Sequence, residues 1–263
     1  NGRHALTDGH HLLPILEFDP NPRALINADE QCAPVDIPHT IVLCFFFEVI
    51  DSLHTAGRIR QVHAVRSEMG YHPIYEISLP DGQRIGLMHP GVGAPLAAQL
   101  MEEVIAHGGR TFIAVGGAGS LQSELTVGHV VIPSKALRDE GVSYHYVAPS
   151  RWIEAQHDIN QQMIAVLDHK GIPYVVGPTW TTDAFYRETP AKVARRRAEG
   201  CVTVEMENAA FLAVAQLRNV RFGQILYSAD DVSGAVWDGR GWNSRESLRE
   251  QLLFLAVDIA AQL

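Results

Sequence analysis

The 263-residue chain predicts an α/β fold: a single-domain, three-layer α/β/α sandwich around one mixed β-sheet. Three observations predict it. Continuous apolar runs, such as Thr40-Ile41-Val42-Leu43-Cys44-Phe45-Phe46-Phe47, fit strands covered on both faces. Apolar residues at helical spacing follow such runs, as in Phe211, Leu212, Val214, Ala215 and Leu217. Hairpin signals, Asp81-Gly82 among them, interrupt the alternation mid-chain, so the sheet is mixed. The chain is 46% apolar and long enough to bury a large core. With no internal linker, residues 39–263 read as one domain. Residues 1–38 read as an N-terminal extension packing on that domain or on a neighbouring subunit.

Taken in order, the polar, His-bearing Asn1–His11 reads as a cloning remnant or a flexible arm, and not as a signal peptide. A short apolar piece, Leu12–Phe18, precedes a Pro/Asn-rich passage through Pro20, Pro22, Pro34 and Pro38. The apolar run from Thr40 ends at Glu48, and Val49–Leu53 turns helical. Strands over Arg60–Val65 and Pro73–Leu79 lead into the Asp81-Gly82 hairpin, and Arg84–His89 returns. Gly91-Val92-Gly93-Ala94-Pro95 opens an amphipathic helix over Ala97–Ala106. Thr111–Val115 is a buried strand, capped by Gly116-Gly117-Ala118-Gly119-Ser120-Leu121. Gly128–Pro133 is a strand, and Ala136–Tyr146 is a polar, aromatic loop. A helix over Asn160–His169 ends at Lys170-Gly171. Tyr174–Tyr186 is a strand entering an aromatic loop. Lys192–Glu199 is a basic helix with a solvated face. Phe222–Ser228 is the last strand, Gly234–Gly241 is a Gly/Trp loop, and Ser244–Leu263 closes the chain as an amphipathic helix.

Candidate site positions cluster where strands open onto helices or loops, the places at which α/β sheets set ligand groups. In Val204-Glu205-Met206-Glu207-Asn208, two carboxylates end an apolar run. Each is either a helix-capping acid or a ligand for a sugar diol. Glu48 is either a dipole-facing acid or a second site group. Gly93 permits close backbone approach, and Gly117 lies in a glycine cluster that forms a possible nest for a sugar oxygen or an anion. No Lys or Arg accompanies that cluster, which argues against phosphate. Phe185 is either a stacking platform for a planar base or core packing. Asp230 either holds a proton for a leaving group or makes an Asx-turn.

Composition narrows the function. A net charge of −9 makes a nucleic-acid backbone an unsuitable partner. No apolar run reaches transmembrane length. The three cysteines, Cys32, Cys44 and Cys201, are far apart and suit reduced thiols in a cytoplasm rather than a disulfide framework or zinc site. The 13 histidines never take a metal-ligand spacing, so no metal is expected.

Several of these stretches resemble the nucleoside phosphorylase superfamily, in the branch with uridine phosphorylase, hexameric purine nucleoside phosphorylase and methylthioadenosine/S-adenosylhomocysteine nucleosidase. The matching pieces are Gly91–Pro95, Val115–Leu121 with Val127–Val131, Asp139–Tyr146, Thr182–Tyr186, Val204–Glu207 and Ser228–Asp230, in order across roughly residues 40–235. The resemblance implies a nucleoside substrate with no metal and no organic cofactor. It also implies sites formed at subunit contacts in a homo-oligomer, a dimer or a hexamer of dimers. Glu207 would bind the ribose hydroxyls, Met206 would pack under the sugar and Glu205 would support the Glu207 carboxylate. Phe185 would stack on the base, and Asp230 would protonate a purine at N7.

The departures bear on the reaction. Phosphorylases of this branch carry Pro-Gly-Asp-Pro-x-Arg after the first strand, where this chain has Leu43–Glu48. They carry Arg-Ile-Gly-Thr where it has Ala114-Val115-Gly116-Gly117. A third arginine, lent by a neighbouring subunit, would fall near Tyr71, with Arg66 nearby. The nucleosidases instead have Glu-Val at the first point, and Glu48-Val49 reproduces it. The expectation is therefore hydrolysis, with Glu48 as base and Asp230 as acid. The nucleosidases' serine is Gly117 here and their arginine is Leu226. The uracil-reading Gln and Arg are missing from Arg187–Ala191, which favours a purine-like base. Two alternatives stay open. One is a phosphate-dependent phosphorylase with arginines from elsewhere, such as Arg58, Arg60 or Arg66. The other is a nucleoside-binding protein without turnover, which the apolar Phe45-Phe46-Phe47 makes reasonable.

Overall fold

The computed structural model describes residues 11–263; the expectation for Asn1–His10 lies outside the described residues. The first strand explains the layering. In β1 (Thr40–Cys44), Ile41 and Leu43 point to one face and Val42 and Cys44 to the other, and all four are buried. A strand alternates its side chains, so two apolar sets demand a cover on each side. One cover holds α2 (Phe47–Thr55), with α5 (His157–Lys170) and α8 (Glu246–Ala260) farther along the chain. The other holds α3 (Ala94–His107) and α7 (Asn208–Arg218).

The remaining strands are β2 (Arg60–Ser67), β3 (Gly70–Ser78), β4 (Arg84–Met88), β5 (Thr111–Ser120), β6 (Val130–Asp139), β7 (Trp152–Glu154), β8 (Tyr174–Thr182), β9 (Thr203–Glu205) and β10 (Arg221–Asp231). The short helices are α1 (Ala28–Gln31), α4 (Ser143–Tyr146) and α6 (Pro190–Ala198). The main path runs β10-β6-β8-β9-β5-β1-β4-β3-β2, and β10 also pairs with β5, so five strands close into a ring beside an open sheet. β1, β4, β5 and β10 are parallel, whereas β9 meets β5 and β6 meets β10 antiparallel. The mixed three-layer α/β architecture expected from the sequence is the one observed.

Residues 11–38 touch this body at several points. Val35 N donates to His107 O at 3.1 Å, Ile37 is buried, and Arg218 reaches Pro22 O at 3.1 Å.

Several stretches depart from the sequence expectation. Gly116–Ser120 is no cap: β5 runs straight through it, pairing with both β10 and β9. The glycines are there because neighbours crowd the strand. A Cβ on Gly116 would lie 2.9 Å from the Phe45 ring, and one on Gly119 would lie 2.9 Å from Val204. The expected loop at Ala136–Tyr146 is instead the end of β6 followed by α4. Arg138, buried at that junction, donates to Ser143 Oγ and to the carbonyls of Val147 and Ala148. The basic α6 is not wholly solvated: Arg196 is buried against Asp139 at 3.0 Å and Glu199 at 3.1 Å.

Candidate active site

The two carboxylates after β9 separate into different tasks. Glu205 is the capping acid of α7: its Oε2 accepts the N–H groups of Glu207 at 2.8 Å and Asn208 at 2.6 Å. Its Oε1 accepts the Thr181 hydroxyl at 2.6 Å. Burial pushes this carboxyl up to about 7, while those donors pull it back. Glu205 thus holds the backbone of Glu207 rather than its carboxylate. Glu207 stands at the N-cap position of α7 yet makes no capping bond with its side chain. It crosses instead to the β4–α3 turn, where Oε1 accepts Gly93 N–H at 2.6 Å. Burial first, and the Glu205 charge second, push it up to about 8. Gly93 serves this contact through φ of 89°, a conformation that side-chain-bearing residues rarely adopt. Met206, between the two acids, is half-buried.

Glu48 sits farther along the chain than a strand end. β1 stops at Cys44, Phe45 and Phe46 form the turn, and Glu48 lies in the first turn of α2. Its side chain is 37% exposed, and Oε1 lies 2.7 Å from Nη1 of Arg249 on α8. The contact is an ion pair rather than an aligned hydrogen bond: Glu48 Oε1 and Arg249 Nε are both buried with no hydrogen-bond partner. The Arg249 guanidinium lies over the Phe46 ring, 4.7 Å from its centroid.

Contacts connect these positions into one region. From Gly93 the β4–α3 turn leads back to His89, whose ring packs edge-on to Phe45 and Phe47 with centroids 6.0 and 6.4 Å apart. Burial pushes the His89 imidazole below its ordinary value, so it is neutral at pH 7. Phe46 meets Tyr227 edge-on at 6.0 Å. A Cβ on Gly117 would lie 3.2 Å from the Tyr227 ring and 3.1 Å from the Ala229 Cβ. Gly117 is itself exposed, with β10 packed closely beside it.

Asp230 follows Ala229 and still belongs to β10. The Asx-turn falls to Asp231, which accepts from Ser233 N–H at 2.7 Å and pairs with Arg240 at 2.5 Å. Asp230 Oδ2 accepts the Trp237 indole N–H at 2.7 Å. Burial raises its carboxyl above the ordinary value, and that indole bond pulls it back. Glu188 faces the same carboxylate; burial, then the charge of Asp230, push it up to about 7. Phe185 lies three residues away in a single 3-10 turn, 51% exposed, its ring 4.0 Å from that of Tyr186.

Arg249, Trp237, Glu188, His89 and Thr181 were not singled out from sequence. Arg249 carried a readable signal. It shares the apolar face of α8 with Leu252, Leu253, Ala256 and Ala260, and a charge on such a face requires a partner. The alternative arginines are engaged elsewhere: Arg58 with Glu250 at 2.7 Å, and Arg60 with Glu76 at 2.5 Å. Arg66 lies over Tyr71 on the β2–β3 hairpin. Among the described residues, no three His, Cys, Asp or Glu side chains are grouped as metal ligands would be.

A family model described as "Phosphorylase superfamily" matches residues 51–251, a span that holds Gly93, Gly117, Phe185, Glu205, Glu207, Asp230 and Arg249 but begins after Glu48. The chain is 30% identical over 145 residues to a guanosine phosphorylase of Halorubrum lacusprofundi, covering 55% of this chain and 60% of that protein. It thus spans less than two thirds of that relative's length. It is 27% identical over 207 residues to a DeoD-type purine nucleoside phosphorylase of Exiguobacterium sp., covering 75% of this chain and 81% of that one. In fold it is similar to an AMP nucleosidase of Bacteroides thetaiotaomicron, with a TM-score of 0.70 at 20% identity over 88% of this chain and 90% of that one.

Proposed function

Because the chain belongs to the phosphorylase superfamily, we propose that it cleaves the N-glycosidic bond of a nucleoside, a purine-like base being favoured, with water as the attacking group. The observation that carries this reading is the pairing of Glu48 with Arg249 at 2.7 Å. A partly open carboxylate, balanced by one sealed guanidinium, is suited to take a proton from water. A phosphate dianion would have to displace that carboxylate from the same guanidinium.

In the proposed reaction the water oxygen bonds to C1′ of the ribose as the bond from C1′ to the base nitrogen breaks. The water proton passes to Glu48. The leaving base takes a proton from Asp230, whose raised carboxyl favours holding one. Two carboxyl groups divide the work as in other glycoside hydrolysis. Glu207 anchors the ribose hydroxyls, Met206 packs under the sugar, and Gly93 and Gly117 keep the walls close. Phe185 stacks on the base. Since Glu207 is raised to about 8, it releases a proton to accept from two hydroxyls, so ribose binding tightens as pH rises toward that value. The exposed Phe47, Met69, Tyr71 and Val92 support a homo-oligomer, the dimer or hexamer of the sequence expectation.

A second reading, phosphorolysis, is favoured by the relatives named as phosphorylases and by the buried Arg249 itself. A panel of purine and pyrimidine nucleosides, incubated with and without phosphate, separates the readings. Free base without phosphate supports hydrolysis, and strict dependence on phosphate supports phosphorolysis. Tight binding without turnover identifies a nucleoside-binding protein.

A further inference from the structure

The Glu48–Arg249 pair is unequal in a way that a surface salt bridge is not. Arg249 is 9% exposed, whereas the Glu48 side chain is 37% exposed. The cation is sealed and the anion is open. Glu48 is the one carboxylate within ion-pair distance of Arg249 among the described residues. The arginine comes from α8, about two hundred positions away in the chain. Burying a guanidinium from an otherwise apolar helix face opposes folding unless a partner offsets its desolvation. An arginine that only filled space would be better replaced by leucine or methionine.

Three titratable groups near the pair are uncharged at neutral pH. Cys44 at the end of β1 is a thiol that burial pushes up to about 12. Tyr227 on β10 is raised above its ordinary value, chiefly by burial. His89, after β4, is neutral because burial lowers it. Arg249 is the cation in ion-pair contact with Glu48, and the charges of Arg245 and Asp230 act on Tyr227 beside the pair.

We propose that Arg249 is the positioning residue of this site: it anchors one oxygen of Glu48 and balances its charge, leaving the other oxygen presented to the cleft as a base. The proposal rests on the reading of Glu48 as the group that takes the proton from water. It acts through Glu48 and needs no contact between Arg249 and substrate.

Two experiments test it. The first is a double-mutant cycle on unfolding free energy with Glu48→Gln, Arg249→Met and both together; it does not depend on any reaction. Arg249→Met is expected to destabilise the wild type more than it destabilises the Glu48→Gln protein. Additive effects would overturn the proposal. The second measures kcat and KM on the nucleoside that the wild type turns over. Arg249→Met is expected to lower kcat at least about tenfold with KM within about threefold. Arg249→Lys is expected to restore part of kcat, and it carries the same comparison should Arg249→Met not fold. A loss expressed in KM with kcat unchanged, or no rescue of kcat by Arg249→Lys, would assign Arg249 a merely structural role and overturn the proposal. Failure of the wild type to cleave any nucleoside would instead defeat the reading of Glu48 as a base, while coupling in the cycle would still establish the anchor.

Discussion

Replacing Glu207 by Gln isolates the most strongly raised carboxyl in the region. Burial and the adjacent Glu205 carry it from 4.5 to about 8. Between those values the folded protein holds a proton that the unfolded chain has released. Its contribution to stability is therefore complete below about 4.5 and is lost as pH rises toward 8, at close to ~1.4 kcal/mol per pH unit. Across the interval from about pH 6 to about pH 8 the loss is of order 2–3 kcal/mol. The glutamine keeps an oxygen for Gly93 N–H but has no proton to lose, so the variant lacks this slope. Glu205 and Glu188, each raised to about 7, act in the same direction in both proteins and largely cancel in the comparison. The assay is thermal unfolding in half-unit pH steps without nucleoside. Over that interval the wild-type Tm should fall about 5–10 °C relative to the variant. Parallel curves for the two proteins would refute the assignment of a buried, protonated Glu207.

Three further outcomes follow from the same geometry. Glu48→Gln should lower turnover about a hundredfold or more while nucleoside binding, read by calorimetry, survives; retained activity would remove Glu48 as the base. Trp237→Phe deletes the indole donor to Asp230. It should reduce kcat/KM roughly tenfold and shift the limb assigned to Asp230 to higher pH, and an unchanged profile would show that the indole does not tune that acid. Gly116→Ala places a methyl 2.9 Å from the Phe45 ring and should cost about 1–3 kcal/mol in denaturant unfolding, so a neutral substitution would contradict the crowding that accounts for this glycine.

Periodicity carried the layered fold, because the alternation of Ile41 and Leu43 with Val42 and Cys44 is a direct consequence of strand geometry. Where it misled, tertiary crowding overrode local propensity. Gly116, Gly117 and Gly119 read as a strand cap, yet β5 runs through them, and Phe45 and Val204 crowd Gly116 and Gly119 so closely that a side chain would force a shift. The aromatic run Phe45-Phe46-Phe47 has strand propensity, but the chain leaves the sheet at Cys44 and Glu48 enters a helix. The acids around Met206 were legible as a pair. Which one caps α7 was not, since that is decided by Thr181 and by Gly93, remote in sequence. Arg249 could have been found by asking why a cation lies on the apolar face of the last helix.

The most direct test of the account is the origin of the oxygen on C1′ of the released sugar. A nucleoside turned over in phosphate-free buffer made with ¹⁸O-labelled water is predicted to give free base and ribose carrying one labelled oxygen at C1′, detected by mass spectrometry under conditions that suppress exchange. Absence of turnover until phosphate is added, with sugar 1-phosphate as the product, would contradict attack by water.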